Sequence, residues 1–126
     1  MTNTTAHTSA ATAWGLLVLR VVVGGIFFAH GAQKIFEYTL AGTTQSFAGM
    51  GVPLPEIAAP FVAFLELIGG AMLVLGLFSR LAGILLAVDM VVALVLVHLP
   101  AGFWVGEGGY EFVDLLGASA LAIAFT

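Results

Sequence analysis

Two long apolar stretches, residues 57–78 and 81–99, are separated by nothing more than Ser79 and Arg80. A two-residue connection can only turn one helix back against the other, so the two must pack as antiparallel neighbours. Each is close to the length needed to cross the ~30 Å hydrocarbon layer of a bilayer at 1.5 Å per residue. A further run at residues 13–36, AWGLLVLRVVVGGIFFAHGAQKIF, reaches about 36 Å, and residues 110–125 form a fourth and shorter one. The expected architecture is an all-α, transmembrane four-helix bundle. In it residues 1–12 are a polar N-terminal tail and residues 13–126 a single membrane domain. The fourth span falls just below the ~20 residues a crossing usually takes, so it should run untilted or begin inside the loop before it.

Composition closes the alternative of a water-soluble globule. With 61% hydrophobic residues, 8% charged residues and a mean hydropathy of +1.15, the chain has too little charge to cover a globule without large apolar patches. The lipid bilayer is the expected partner. Three scattered Lys/Arg and a net charge of −4 exclude nucleic acid, whose phosphates require clustered cations. The absence of Cys removes disulfides, thiol redox chemistry and thiolate ligation. The stretch before Trp14 has no Lys or Arg, and Arg20 interrupts the first apolar run. That segment is therefore expected as a span rather than a cleaved signal, although Ala29-His30-Gly31 loosely resembles a cleavage site. Arg20 and Arg80 lie toward the end that carries both termini and Lys34 toward the other, which favours cytoplasmic termini in a bacterial-type plasma membrane.

Residues 37–56, with Gly42, Gly49, Gly51, Pro53 and Pro55, read as a loop with at most a short interfacial turn around Phe47 and Met50. Pro100 opens a second loop containing Trp104, Gly106, Gly108 and Gly109. Spans one and three each end in a histidine, His30 and His98, followed by a Gly/Pro loop with an aromatic. An old hairpin duplication would leave such an echo, and so would chance.

An ionisable group in hydrocarbon costs at least ~2.5 kcal/mol, so each should face the bundle and find a partner. On the first span Arg20, Gly24, Phe27, Gly31 and Lys34 fall on one stripe. Glu66 is flanked by Gly69 and Gly70, and Asp89 shares a face with Ala82 and Ala93. Counted inward from Trp14 and Arg80, Arg20 and Asp89 reach similar depth, so a structural ion pair between them is expected. The opposite half gathers His30, Gln33, Lys34, Glu66, His98, Tyr110, Glu111 and Asp114. His98 is the weakest member, because a regular third helix turns it away from the Asp89 face and only a bend before Pro100, or a site between protomers, would bring it back. Three readings remain open for this cluster. It can be a set of interfacial anchors and helix-pairing contacts. It can be a quinone head-group site, with His or Tyr donors, a carboxylate for the proton and an apolar slot for the tail. It can be a metal site, against which stand the missing Glu-x-x-His repeats of di-iron bundles and the placing of the two histidines on different helices; none is expected.

Four ordered motifs add a resemblance: HG-x-x-K at His30 and Lys34; G-x-P-x-P at Gly51, Pro53 and Pro55; E-x-x-GG at Glu66, Gly69 and Gly70, with Gly76 and Arg80 after it; and H-x-P-x-GF at His98, Pro100, Gly102 and Phe103, followed by GGYE from Gly108 to Glu111. In these the chain resembles the DoxX family of small four-span membrane proteins, over nearly its whole length after the first dozen residues. The resemblance implies a membrane subunit of a quinone-linked redox or redox-protection complex. Two functions follow as expectations. In one the protein contacts quinone through His30, Lys34, Glu66, His98, Tyr110 and Glu111, within a larger oxidoreductase. In the other it is a structural or assembly subunit, or a self-associating bundle, without chemistry of its own.

Overall fold

The computed structural model describes residues 9–126, which are helical with no strand among them. Residues 1–8 of the expected tail lie outside the described residues. The rest of that tail already begins a helix, because Ser9 caps it: its Oγ accepts from the Thr12 amide at 3.1 Å, and two alanines, the best helix formers, follow. Helix α1 (Ala10–Ala32) therefore starts before the expected Ala13, and a π turn, Gln33–Glu37, extends it into a rod of 28 residues. At about 42 Å this exceeds the hydrocarbon thickness, and its first turns, up to Gly15, are exposed.

The segment expected as a loop holds a second helix, α2 (Thr39–Gly49). Leu40, Thr43 and Phe47 recur at helical spacing, and the side they form packs on the next helix with Thr43 buried. Of the glycines that suggested a loop, Gly49 stands at the end of α2 and Gly51, at φ +79°, makes the exit from it.

Helix α3 (Pro55–Leu75) opens on Pro55, at a position where the missing amide has no helical partner to lose. It closes in a Schellman motif: the Leu77 amide donates to the Met72 carbonyl at 2.9 Å and the Gly76 amide to the Leu73 carbonyl at 3.2 Å. Gly76 has φ +73°, a conformation that glycine takes without strain. The turn therefore forms at Gly76, Leu77 and Phe78, and Ser79 and Arg80, expected to be the connection, are the first turn of α4 (Ser79–Ala93). Helix α4 runs on through a second π turn, Leu94–His98, and a 3-10 turn, Leu99–Ala101, so Pro100 sits inside the rod rather than after it.

Three rods, Ala10–Glu37, Pro55–Leu75 and Ser79–Ala101, are long and apolar enough to cross a membrane. The fourth bundle helix, α5 (Glu111–Ala124), has 14 residues and rises only about 21 Å. A compact loop precedes it. There Gly109 lies so close to the backbone of Gly102, Phe103 and Trp104 that a Cβ has no room. The Tyr110 amide donates to the Gly102 carbonyl at 2.8 Å and the Glu111 amide to the Phe103 carbonyl at 2.9 Å.

The largest fully buried side chains are Phe27, Leu73, Leu86 and Ile123, one each from α1, α3, α4 and α5, and these four helices make the transmembrane bundle. Outside it, Val18, Val22, Phe61, Ile68, Val88, Val91 and Leu115 are exposed, the surface a bilayer solvates. Hydrophobic burial cannot drive helices together in lipid, so close backbone approach must. Gly24 and Gly31 of α1 press on α3 at Gly70, Ala63 and Leu67, and Gly83 of α4 presses on α5 at Ala120 and Ala124. The protein is thus two close-packed hairpins, α1 with α3 and α4 with α5. Between hairpins the contact is through side chains, as where Gly69 meets Leu86.

These contacts set an expectation for substitution. Gly70→Ala drives a methyl into the backbone of Phe28 and Gly24 and should destabilise by about 1–3 kcal/mol. Gly25→Ala, with open space around it, should be neutral or slightly stabilising. Reversible unfolding in mixed micelles, followed by circular dichroism, measures both.

Candidate functional site

Where the two hairpins part, toward the end of the bundle away from the 76–78 turn, they enclose a cavity of about 350 Å³. Its wall is mostly apolar, with Phe27, Val62, Met90, Val113 and Leu116 from the bundle and Phe47, Met50 and Val52 from α2 and the residues after it. Into it come five ionisable side chains, His30, Lys34, Glu66, Asp89 and His98.

Lys34 is set by the first π turn. In a regular helix the Tyr38 amide would donate to the Lys34 carbonyl; here it donates to the Gln33 carbonyl at 2.9 Å, one residue further back. The Lys34 carbonyl is thereby released, and Thr43 of α2 takes it with its hydroxyl at 2.8 Å. One hydrogen bond thus fixes α2 against the end of α1 and explains the burial of a threonine. The Lys34 side chain turns inward, and its Nζ meets Glu66 Oε1 at 2.6 Å. Glu66 is 3% exposed, so this is a membrane-buried, charge-assisted bond between α1 and α3.

Asp89 enters from α4. Its carboxyl lies beside that of Glu66, and its Oδ2 is buried with no hydrogen-bond partner. Glu66 and Asp89 stand at nearly equal distances, about 15 and 16 Å, from the two ends of the 76–78 turn, which is why antiparallel helices bring them level. His98 follows on the second π turn, in which the Leu99 amide donates to the Leu94 carbonyl. This wider turn provides the bend that brings His98 round to the cavity. Its Nδ1–H donates to the Gly108 carbonyl at 2.8 Å, since a carbonyl can only accept. Nε2 is then the nitrogen left for a ligand. The His30 ring packs on Phe112 with centroids 6.0 Å apart.

The structure departs from the sequence reading at several residues. Arg20 does not pair with Asp89: its guanidinium lies against Gly76 at the 76–78 turn, while Asp89 is ~16 Å further along α4 from Phe78. The depth count fails because α1 stands proud of that turn, so Trp14 and Arg80 are not level. Gln33, Tyr110, Glu111 and Asp114 do not line the cavity. Tyr110 packs edge-on against Phe103 at 5.5 Å, and Glu111 starts α5, held by the loop. His30, Lys34, Glu66 and His98 are brought together, with Asp89 added. The equal distance of Glu66 and Asp89 from the glycine turn is the signal in the sequence that pairs them. Thr43 carries none, because the need for it arises from the π turn. Among the described residues no group of three or more His, Asp or Glu is placed to hold a metal ion.

Breaking the ion pair should be severe. Lys34→Met or Glu66→Leu alone strands a buried charge and should cost about 3–5 kcal/mol, whereas the double substitution should cost much less than the sum. A double-mutant cycle of unfolding free energies measures the coupling.

Comparison with known proteins gives the context of this site. The DoxX family model matches residues 15–99, a range that contains all five ionisable side chains of the cavity. The chain is 38% identical over 109 residues to CatD of Bacillus subtilis, described as a candidate oxidoreductase, covering 86% of this chain and 78% of that one. It is 32% identical over 114 residues to a membrane protein of Mycobacterium tuberculosis, covering 79% and 69% respectively. Inner membrane protein YphA of Escherichia coli is 35% identical over 65 residues, 52% of this chain and 45% of that one. No solved structure matches.

Proposed function

This chain belongs to the DoxX family of membrane proteins, and from that premise we propose that the cavity between its hairpins binds the head group of a membrane quinone, with the protein acting as a subunit of a redox complex. The observation that carries this is the meeting of His30, Lys34, Glu66, Asp89 and His98 in an otherwise apolar cavity of about 350 Å³ at membrane depth. That volume lies within the range of small-molecule sites, and an apolar wall with a few convergent polar groups is their usual composition. A quinone is a flat apolar ring with two carbonyl oxygens, which need donors. Lys34, with protons beyond the one given to Glu66, supplies one; His30 supplies the other. The description of CatD as a candidate oxidoreductase points the same way.

Reduction of a quinone to the quinol takes two electrons and two protons. In this reading the electrons arrive from a partner subunit, and the chain handles the protons. Lys34 balances one of the two adjacent carboxylates, which leaves Asp89 as the group free to exchange a proton with the ligand. His98, oriented by Gly108, lies at the loop end and passes protons between the cavity and the outer aqueous face.

A water-soluble quinone analogue titrated against the purified protein tests this. Asp89→Leu and His30→Ala should each weaken binding by about 1–3 kcal/mol while leaving the unfolding transition in place. Absent or unchanged binding overturns the reading in favour of a structural or assembly subunit.

We likewise infer cytoplasmic termini in a bacterial plasma membrane, an orientation supported by the gathering of Arg20 and Arg80 at the terminal face. Because the chain has no Cys, single cysteines report topology without background. Cysteines replacing Thr12 and Leu77 should react with an impermeant maleimide only after the membrane is opened, and one replacing Val105 should react on intact cells.

A further inference from the structure

Of the three Lys/Arg in the chain, Lys34 is used by Glu66. The other two converge. Arg20 and Arg80 line one pocket at the terminal face, together with Ser79, Thr126 and the apolar side chains of Leu16, Phe78 and Leu81. No side-chain carboxylate lines it, and neither arginine forms an ion pair among the described residues. Arg20 Nε is buried without a hydrogen-bond partner. A sealed guanidinium edge with no acceptor is unfavourable for the isolated chain, and snorkelling does not relieve it, because Nε lies on the buried stem side of the group.

We propose that this pocket binds an anionic phospholipid, its phosphodiester held between Arg20 and Arg80 and its acyl chain laid on Leu16, Phe78 and Leu81. A guanidinium pair matches phosphate oxygens in charge and in fork geometry. The amides of Ser79, Arg80 and Leu81 open α4, and Phe78 before them gives no side-chain cap, so the same pocket presents helix N-terminal donors to the phosphate. The apolar floor of Leu16, Phe78 and Leu81 distinguishes a lipid from free phosphate, which has no acyl chain to cover it. The pocket seals the junction of the hairpins at the 76–78 turn, so the bound lipid acts as a clamp on the closed end of the bundle. This site is separate from the quinone cavity and does not depend on that reading.

The test uses the whole protein in detergent, titrated with phosphatidylglycerol, phosphatidylcholine and inorganic phosphate, with bound lipid counted by native mass spectrometry. Wild type should retain phosphatidylglycerol in preference to phosphatidylcholine. Arg80→Gln, at an exposed position, should weaken retention about tenfold, and Arg20→Gln at least as much. Leu16→Trp keeps both arginines and fills the floor; it should also weaken retention, which secures the test if Arg20→Gln fails to fold. Equal retention of phosphatidylglycerol by wild type and Arg80→Gln overturns the proposal. So does displacement of the lipid by millimolar inorganic phosphate, which would mark a site for the free anion.

Discussion

The Lys34–Glu66 pair is the interaction around which the upper half of the molecule is arranged. In hydrocarbon neither charge can stand alone, and at 2.6 Å each fixes the other. For Lys34 to reach Glu66 the end of α1 must turn inward. The π turn does this by shifting one amide donor, and the shift frees the carbonyl that Thr43 then satisfies. The placement of α2 and the wall it gives the cavity both follow from satisfying one buried cation. An ion pair of this kind adds little net stability, because desolvation offsets most of the attraction. Its value lies in admitting a single arrangement.

Much of this is legible in the sequence, and the boundary between what is and what is not is a physical one. Apolar runs, the glycine faces beside Glu66 and the inward direction of Lys34, Glu66 and Asp89 are local properties, set by helical period and by the cost of exposing charge to lipid. Which charge meets which is not local. Counting depth from Trp14 assigns Arg20 to Asp89, and the count fails because α1 runs on past the 76–78 turn, with Arg20 level with Gly76 and Trp14 beyond it. Helix α2 is hidden by its glycines and by the fact that its buried centre is a threonine rather than an aliphatic residue. The π turns have no residue signature at all, since they are defined by a donor that skips one carbonyl. They are where Lys34 and His98 sit, so the stretches of helix that carry these two side chains to the cavity are the least readable.

The two hairpins share a plan at the cavity end. Both rods that lead into the cavity, Ala10–Glu37 and Ser79–Ala101, leave regular helix near the same end and deliver an ionisable side chain there. Both hairpins are drawn together by glycine against backbone. The halves differ in the segment that leaves the rod: α2 in the first, a glycine-tied loop in the second. That difference gives the cavity one wall of Phe47, Met50 and Val52, and on the other side an anchor for His98.

The contrast between tight hairpins and a looser seam has a mechanical consequence. A helix pair whose backbones touch through glycine cannot shear without collision, so each hairpin moves as a rigid leaf. The leaves are joined covalently only through Gly76, Leu77 and Phe78. Any widening of the space between them is then a rotation about that joint, and displacement grows with distance from it. His98, about 30 Å along the rod from Phe78, is carried ~2.5 Å by a rotation of about 5°, while Leu86, about 12 Å from the joint, moves only ~1 Å. The fold is a lever, with its fulcrum in the glycine turn and its longest arm at the histidine.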